Sequence, residues 1–179
     1  MSLDTVRDAI PAYAKDISLN VGSLASETTL SDQQKWGAFL ASAYAVGVPL
    51  VVRNIEAAAT AAGLPAEAAA AAKTAAAIMA MNNVYYRSLH LMKNKEYGTL
   101  PAKLRMNALG APGVDKVDFE LWCTAVSAIN GCGMCLDAHE AELRKHGMTA
   151  VQVQAGLRIG AVVNAASRVI AAELAAQAA

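Results

Sequence analysis

The chain has 179 residues, of which 55% are apolar, 5% aromatic and 17% charged. That length suits one domain over residues 1–179, large enough to bury roughly 70% of the surface of its unfolded chain without staples. Fifteen basic and fifteen acidic residues cancel, and neither sign forms a run that would draw the protein to nucleic acid or to an anionic membrane.

Strong alanine enrichment with so few aromatics predicts closely packed helices, because strands favour β-branched and aromatic residues. The expected fold is all-α, and no segment alternates as a strand would. At the N-terminus, MSLDTVRDAIPAYAKD mixes acids with bases and has no continuous apolar core, so it does not read as a secretory signal. Ser31-Asp32-Gln33-Gln34 has the form of a capping box and starts a helix that runs to about Val46. Gly47 and Pro49 interrupt it, and a second segment covers Val51 to Ala62. Gly63-Leu64-Pro65 breaks the chain again before a long helix from about Ala66 to Met92. The alanine-rich part of that helix, Ala66 to Met81, carries Glu67 and Lys73 and is too short and too weakly apolar to read as a membrane span. These features predict a cytoplasmic protein, and in that reducing compartment close cysteines serve catalysis or metal binding more often than permanent bridging.

Tyr97 to Leu109 reads as a loop with a short helix, and Gly110-Ala111-Pro112-Gly113 as a turn. Asp115 is then the N-cap of a helix carrying Phe119, Glu120, Trp122, Cys123 and Val126. Asn130-Gly131 ends it, and a further helix restarts near Cys132 and stops at about His146, before Gly147. Thr149-Ala150-Val151-Gln152 is another capping box, opening a last helix to about Ala175 that is apolar on most sides and expected to lie buried between other helices or subunits. An internal echo links Ala77-Ile78-Met79-Ala80-Met81-Asn82 with Ala125-Val126-Ser127-Ala128-Ile129-Asn130, forty-eight residues on. Two helical units about a pseudo-twofold axis would leave Val84 and Arg87 where Cys132 and Cys135 stand, so only the second copy would carry chemistry.

That chemistry lies in Cys132-Gly133-Met134-Cys135 and His139. On a helix, positions i, i+3 and i+7 fall on one stripe, so both thiols and the imidazole share a face. Helical neighbours have β-carbons about 5–6 Å apart and a disulfide needs about 3.5–4.5 Å, so a small adjustment in the first turn closes the bridge. A helix N-terminus favours thiolate over thiol, and a histidine at i+4 from Cys135 adds to that. Such a thiolate attacks a peroxide to give a sulfenic acid, which a neighbouring thiol condenses to a disulfide, or it exchanges with a partner's disulfide. Spacing alone leaves Glu120, Asp137 and Glu140 open as the carboxylate that orients the histidine. Zinc bound by the two cysteines, His139 and a carboxylate is the rival reading, yet structural zinc usually brings a second CxxC or HxxxH, which the sequence lacks. Cys123, His90, His146, Trp36, Trp122 and the methionines read as packing or solvated positions. Asn82-Asn83 and Tyr85-Tyr86 could border a site.

Phe119-Glu120-Leu121-Trp122, Ala125 through Cys132, Cys135-Leu136 and Ala138-His139-Glu140 resemble the AhpD family of alkyl hydroperoxide reductases, within the carboxymuconolactone decarboxylase-like superfamily. The likeness extends to Pro11 through Ile17, to Trp36-Gly37 and to Met79 through Val84. It implies an all-helical homo-oligomer, a trimer in known members, with antioxidant peroxidase activity and no bound cofactor. It also implies electrons arriving from NADH through dihydrolipoamide dehydrogenase and a lipoylated acyltransferase, and leaving to an AhpC-type peroxiredoxin. By motif, Cys135 would become the sulfenic acid, Cys132 would act as proton donor and resolving thiol, and Glu120 and His139 would form the proton relay. Some members carry a histidine just before the second cysteine. Met134 stands there in this chain, which leaves Glu120 to His139 to Cys135 as the implied relay. The alternatives are a lactone decarboxylase-like enzyme on the same fold and a zinc-binding or thiol-sensing interaction module.

Overall fold

A computed structural model describes residues 2–178 and is all-helical over them. The helices are α1 (Leu3–Asp8), α2 (Lys15–Ala25), α3 (Asp32–Val46), α4 (Pro49–Ala61), α5 (Ala66–Leu91), α6 (Asn107–Gly110), α7 (Lys116–Asn130), α8 (Gly133–Lys145) and α9 (Ala150–Gln177), with 3-10 turns at Ala12–Ala14 and Lys95–Thr99. Local punctuation sets most of these limits. Both capping boxes form: Ser31 Oγ accepts from the Gln34 amide at 3.1 Å, and Thr149 Oγ1 from the Gln152 amide at 3.3 Å. Gly47, Gly131 and Gly147 take φ of 78°, 67° and 85°, a region that glycine enters without strain, and they end α3, α7 and α8.

Two helices form the centre. Lys35 to Ala43 of α3 and Asp118 to Ser127 of α7 are buried on every side, as expected of largely apolar or small stretches, and their charged members Lys35, Asp118 and Glu120 each have a polar partner. They pack on each other, and α5 and α9 pack on both. Ala38, Ala41, Ala125 and Ala155 are among the fully buried side chains, so alanine brings the helix axes close where larger residues would hold them apart. At the entrance to the α3–α7 contact, Asp118 accepts from Gln33 Nε2 at 2.7 Å and from Gln34 Nε2 at 2.8 Å. Gln34 also accepts from the Ser31 amide, so one carboxamide both closes the cap and ties α3 to α7.

The closest approach is Gly37 against Trp122. A β-carbon at Gly37 would lie 2.2 Å from the indole ring, and that ring is fully buried with its Nε1–H donated to the Gln34 carbonyl at 3.1 Å. The indole cannot yield without losing that bond and parting the central helices. Gly37→Ala should therefore cost about 1–3 kcal/mol or more, as overpacking does, read as a fall in the urea midpoint; an unchanged midpoint would show that α3 and α7 can separate freely.

The echo segments of α5 and α7 lie side by side, and their equivalent positions touch: Ser127 Oγ lies 3.5 Å from Met79 Sδ. The last helix is covered on one face within the chain. Nine residues from Val153 to Ile170 are buried against its neighbours, while Val151 and Leu174 stand exposed on the far side. Helix α9 is long and apolar enough to cross a membrane by composition, but its buried face is spent on the bundle. It contacts α2, α3 and α7 on that one face, so within the chain α9 is half-covered and not enclosed.

Candidate active site

The end of α7 is held in place before the cysteines begin. Asn130 Nδ2 donates to Asn83 Oδ1 at 3.0 Å, Asn83 Nδ2 donates to Ser127 Oγ at 2.9 Å, and Arg87 Nη1 donates to the Asn130 carbonyl. The amides of Gly131 and Cys132 fold back onto the carbonyls of Ala128 and Ser127. Backbone donors and acceptors at this break are thus paired inside the protein. The chain turns through Gly131 and starts α8 with Cys132 as its N-cap.

Cys132 and Cys135 form a disulfide with a Cα–Cα distance of 5.3 Å, within the usual range for such a bridge. The two sulfurs are not equivalent. Cys132 has no exposed surface, whereas Cys135 keeps 7% and lines a cavity of about 190 Å³ together with Met79, Asn82, Tyr86, Met134 and His139. An incoming reactant meets Cys135 first.

His139 lies one helical turn beyond Cys135. Its Nδ1 is 2.6 Å from Glu120 Oε2, and its Nε2 is 3.3 Å from Met79 Sδ. The imidazole and the carboxylate are each about nine-tenths buried, in surroundings where such a contact is stronger than in water. Of the three carboxylates that spacing left open, Glu120 reaches the histidine. Glu140 pairs loosely with Arg144 at the surface, 3.8 Å away, and Asp137 sits on the exposed side of α8.

Cys123 takes no part. Burial, and then the negative charge of Glu120, push its thiol well above the usual cysteine range, so it stays protonated and unreactive. His146 is outside the site and contacts the Glu142 carbonyl. Among the described residues no three side chains of His, Cys, Asp or Glu gather as metal ligands. Met79, Asn82, Tyr86 and Leu109 complete the cavity; the paired asparagines and tyrosines of α5 are the only hint of them in the sequence, and Met79 reads there as packing.

A disulfide-bridged cysteine pair at a helix start, a buried carboxylate–imidazole contact and a cavity at one sulfur are an arrangement suited to two-electron thiol chemistry. The family model described as the carboxymuconolactone decarboxylase family matches residues 95–178. Over nearly its full length the chain is similar to curated proteins named alkyl hydroperoxide reductase AhpD. It is 67% identical over 175 residues to that of Hyphomonas neptunium, covering 98% of this chain and 97% of the relative. The chain belongs to the AhpD family. Two further AhpD proteins are 64% identical over 97% of this chain and 99% of the relative in Maricaulis maris, and 56% identical over 97% of both chains in Streptomyces coelicolor. Membership in the AhpD family accords with the helical fold and with the Cys132–Cys135 bridge, both present in the structure.

Proposed function

We propose that this chain is an alkyl hydroperoxide reductase that cycles Cys132 and Cys135 between dithiol and disulfide. The observation that carries the reading is the opening of Cys135 and His139 onto one cavity, with Glu120 bound behind the imidazole. In the reduced protein the Cys135 thiolate attacks the terminal oxygen of the hydroperoxide. An S–O bond forms, the O–O bond breaks, and the alkoxide leaves as the alcohol after taking a proton from the Cys132 thiol. Cys132, as thiolate, then displaces hydroxide from the sulfenic acid and closes the disulfide, and the hydroxide leaves as water after taking from His139 the proton that came from Cys135. Two electrons pass from the cysteines to the peroxide.

Glu120 orients His139, which takes the proton from Cys135 and so prepares the thiolate. Reduction runs through the same opening. A dihydrolipoyl group, brought by a lipoylated acyltransferase and recharged by dihydrolipoamide dehydrogenase, attacks Cys135, forms a mixed disulfide and leaves as the cyclic disulfide. The reduced pair can alternatively pass its electrons to an AhpC-type peroxiredoxin. No bound cofactor takes part, and the working assembly is a cytoplasmic homotrimer.

Thiol counting tests the cycle. Full reduction with dihydrolipoamide, followed by its removal, should give three thiols in the denatured protein, one per cysteine. Adding one equivalent of an organic hydroperoxide should leave only the Cys123 thiol, and a second addition of dihydrolipoamide should restore the other two. Three thiols persisting after peroxide would overturn the proposal.

A further inference from the structure

Asn82 sits on α5 in the wall of the cavity that Cys135 and His139 share. It is 3% exposed, and among the described residues its Oδ1 has no hydrogen-bond partner. Its neighbour Asn83, equally buried, is bonded through both ends of its carboxamide. A buried amide oxygen left unpaired costs free energy that an apolar residue of similar size would not, so its retention beside a reactive sulfur calls for a use. Asparagine is also a poorer helix former than leucine, and the rest of the wall, from Met79 and Leu109 to Met134 and Ala138, offers a ligand mostly apolar surface.

We infer that Asn82 anchors the –OOH group of the substrate against Cys135. A carboxamide carries one acceptor and a donor pair on adjacent atoms, and a hydroperoxide carries the complement, an O–H on its terminal oxygen and an acceptor on the inner one. Oδ1 is enclosed in the resting fold, so a turn of the carboxamide presents it to the cavity, where it accepts the peroxide O–H and turns the terminal oxygen toward the sulfur. Rotation of the amide group lets Nδ2 donate to the inner oxygen, where negative charge develops as the O–O bond breaks, and a donor aimed at developing charge accelerates the step. The apolar wall takes the alkyl chain.

This inference rests on the reading that hydroperoxides oxidise Cys135, so the test separates the two half-reactions. Wild type, Asn82→Leu and Asn82→Ala are reduced with dithiothreitol, freed of it, and mixed with tert-butyl hydroperoxide while thiol loss is followed. Both variants should be oxidised about 100-fold more slowly than wild type, while dithiothreitol reduces their disulfides at the wild-type rate. Asn82→Leu should melt no lower than wild type, having lost an unpaired polar atom. Leucine fills the cavity and alanine opens it, so wild-type oxidation by either variant overturns the anchor, as does equal slowing of both half-reactions. A wild-type dithiol that the hydroperoxide leaves untouched overturns the functional reading itself, and the anchor with it.

Discussion

Cys135→Ser should abolish hydroperoxide turnover, while Cys132→Ser should convert the enzyme into a single-use reagent. A serine hydroxyl at Cys135 has neither the acidity nor the polarisability of a thiol, so nothing in the cavity can attack the O–O bond. Loss of a nucleophile from a cooperative site costs up to about 10⁶-fold, which here means a fall to the uncatalysed rate. In Cys132→Ser the nucleophile remains, but no second thiol resolves the sulfenic acid. One equivalent of peroxide should be consumed in a burst, leaving Cys135 as a sulfenic acid that a dimedone-type reagent traps, and steady turnover should stop unless an added thiol resolves it. The asymmetry follows from the cavity: Cys135 faces it and Cys132 is closed off. A burst in Cys135→Ser and none in Cys132→Ser would exchange the two roles.

Features written in consecutive residues are legible in the sequence alone. The capping boxes at Ser31 and Thr149 and the glycines at 47, 131 and 147 act through contacts within a few residues, and the helix limits they imply agree with those of the structure to within one or two residues. Helices α1 and α2 are not legible. Six residues at Leu3–Asp8 with Val6 as the one buried position show no period, and what ties that helix down includes the distant Asn54, whose Oδ1 accepts from the Ser2 amide. The open side of α9 is hidden by its alanines, which suit a helix in or out of the core. In the site, spacing puts both cysteines and His139 on one face. It does not choose Glu120, because that contact is made by the turn at Gly131 folding α8 back along α7. Asn82 and Met79 are further still from reach, since they arrive on a helix some fifty residues earlier.

That turn also makes Glu120 and His139 testable as one unit. If the carboxylate acts only through the imidazole, Glu120→Gln and His139→Gln should each lower kcat/KM at neutral pH, by about 10-fold and about 100-fold, in the range of a positioned acid–base group. The double variant should then be no slower than His139→Gln alone, since removing the orienting group matters only while the ring is present. Multiplied losses would mean that Glu120 acts on the cysteines independently. Both deficits should shrink as pH rises past about 8.5, where an ordinary cysteine thiol ionises without help, and they should persist or grow as pH falls. The rate at which iodoacetamide alkylates Cys135 in the reduced variants reads this directly. Cys123 does not blur the reading: Glu120→Gln removes the smaller of the two influences that raise its thiol, and burial, the larger, remains. Alkylation of Cys135 with the same pH profile in all four proteins would leave the imidazole no part in preparing the thiolate and would confine the pair to holding α7 and α8 together.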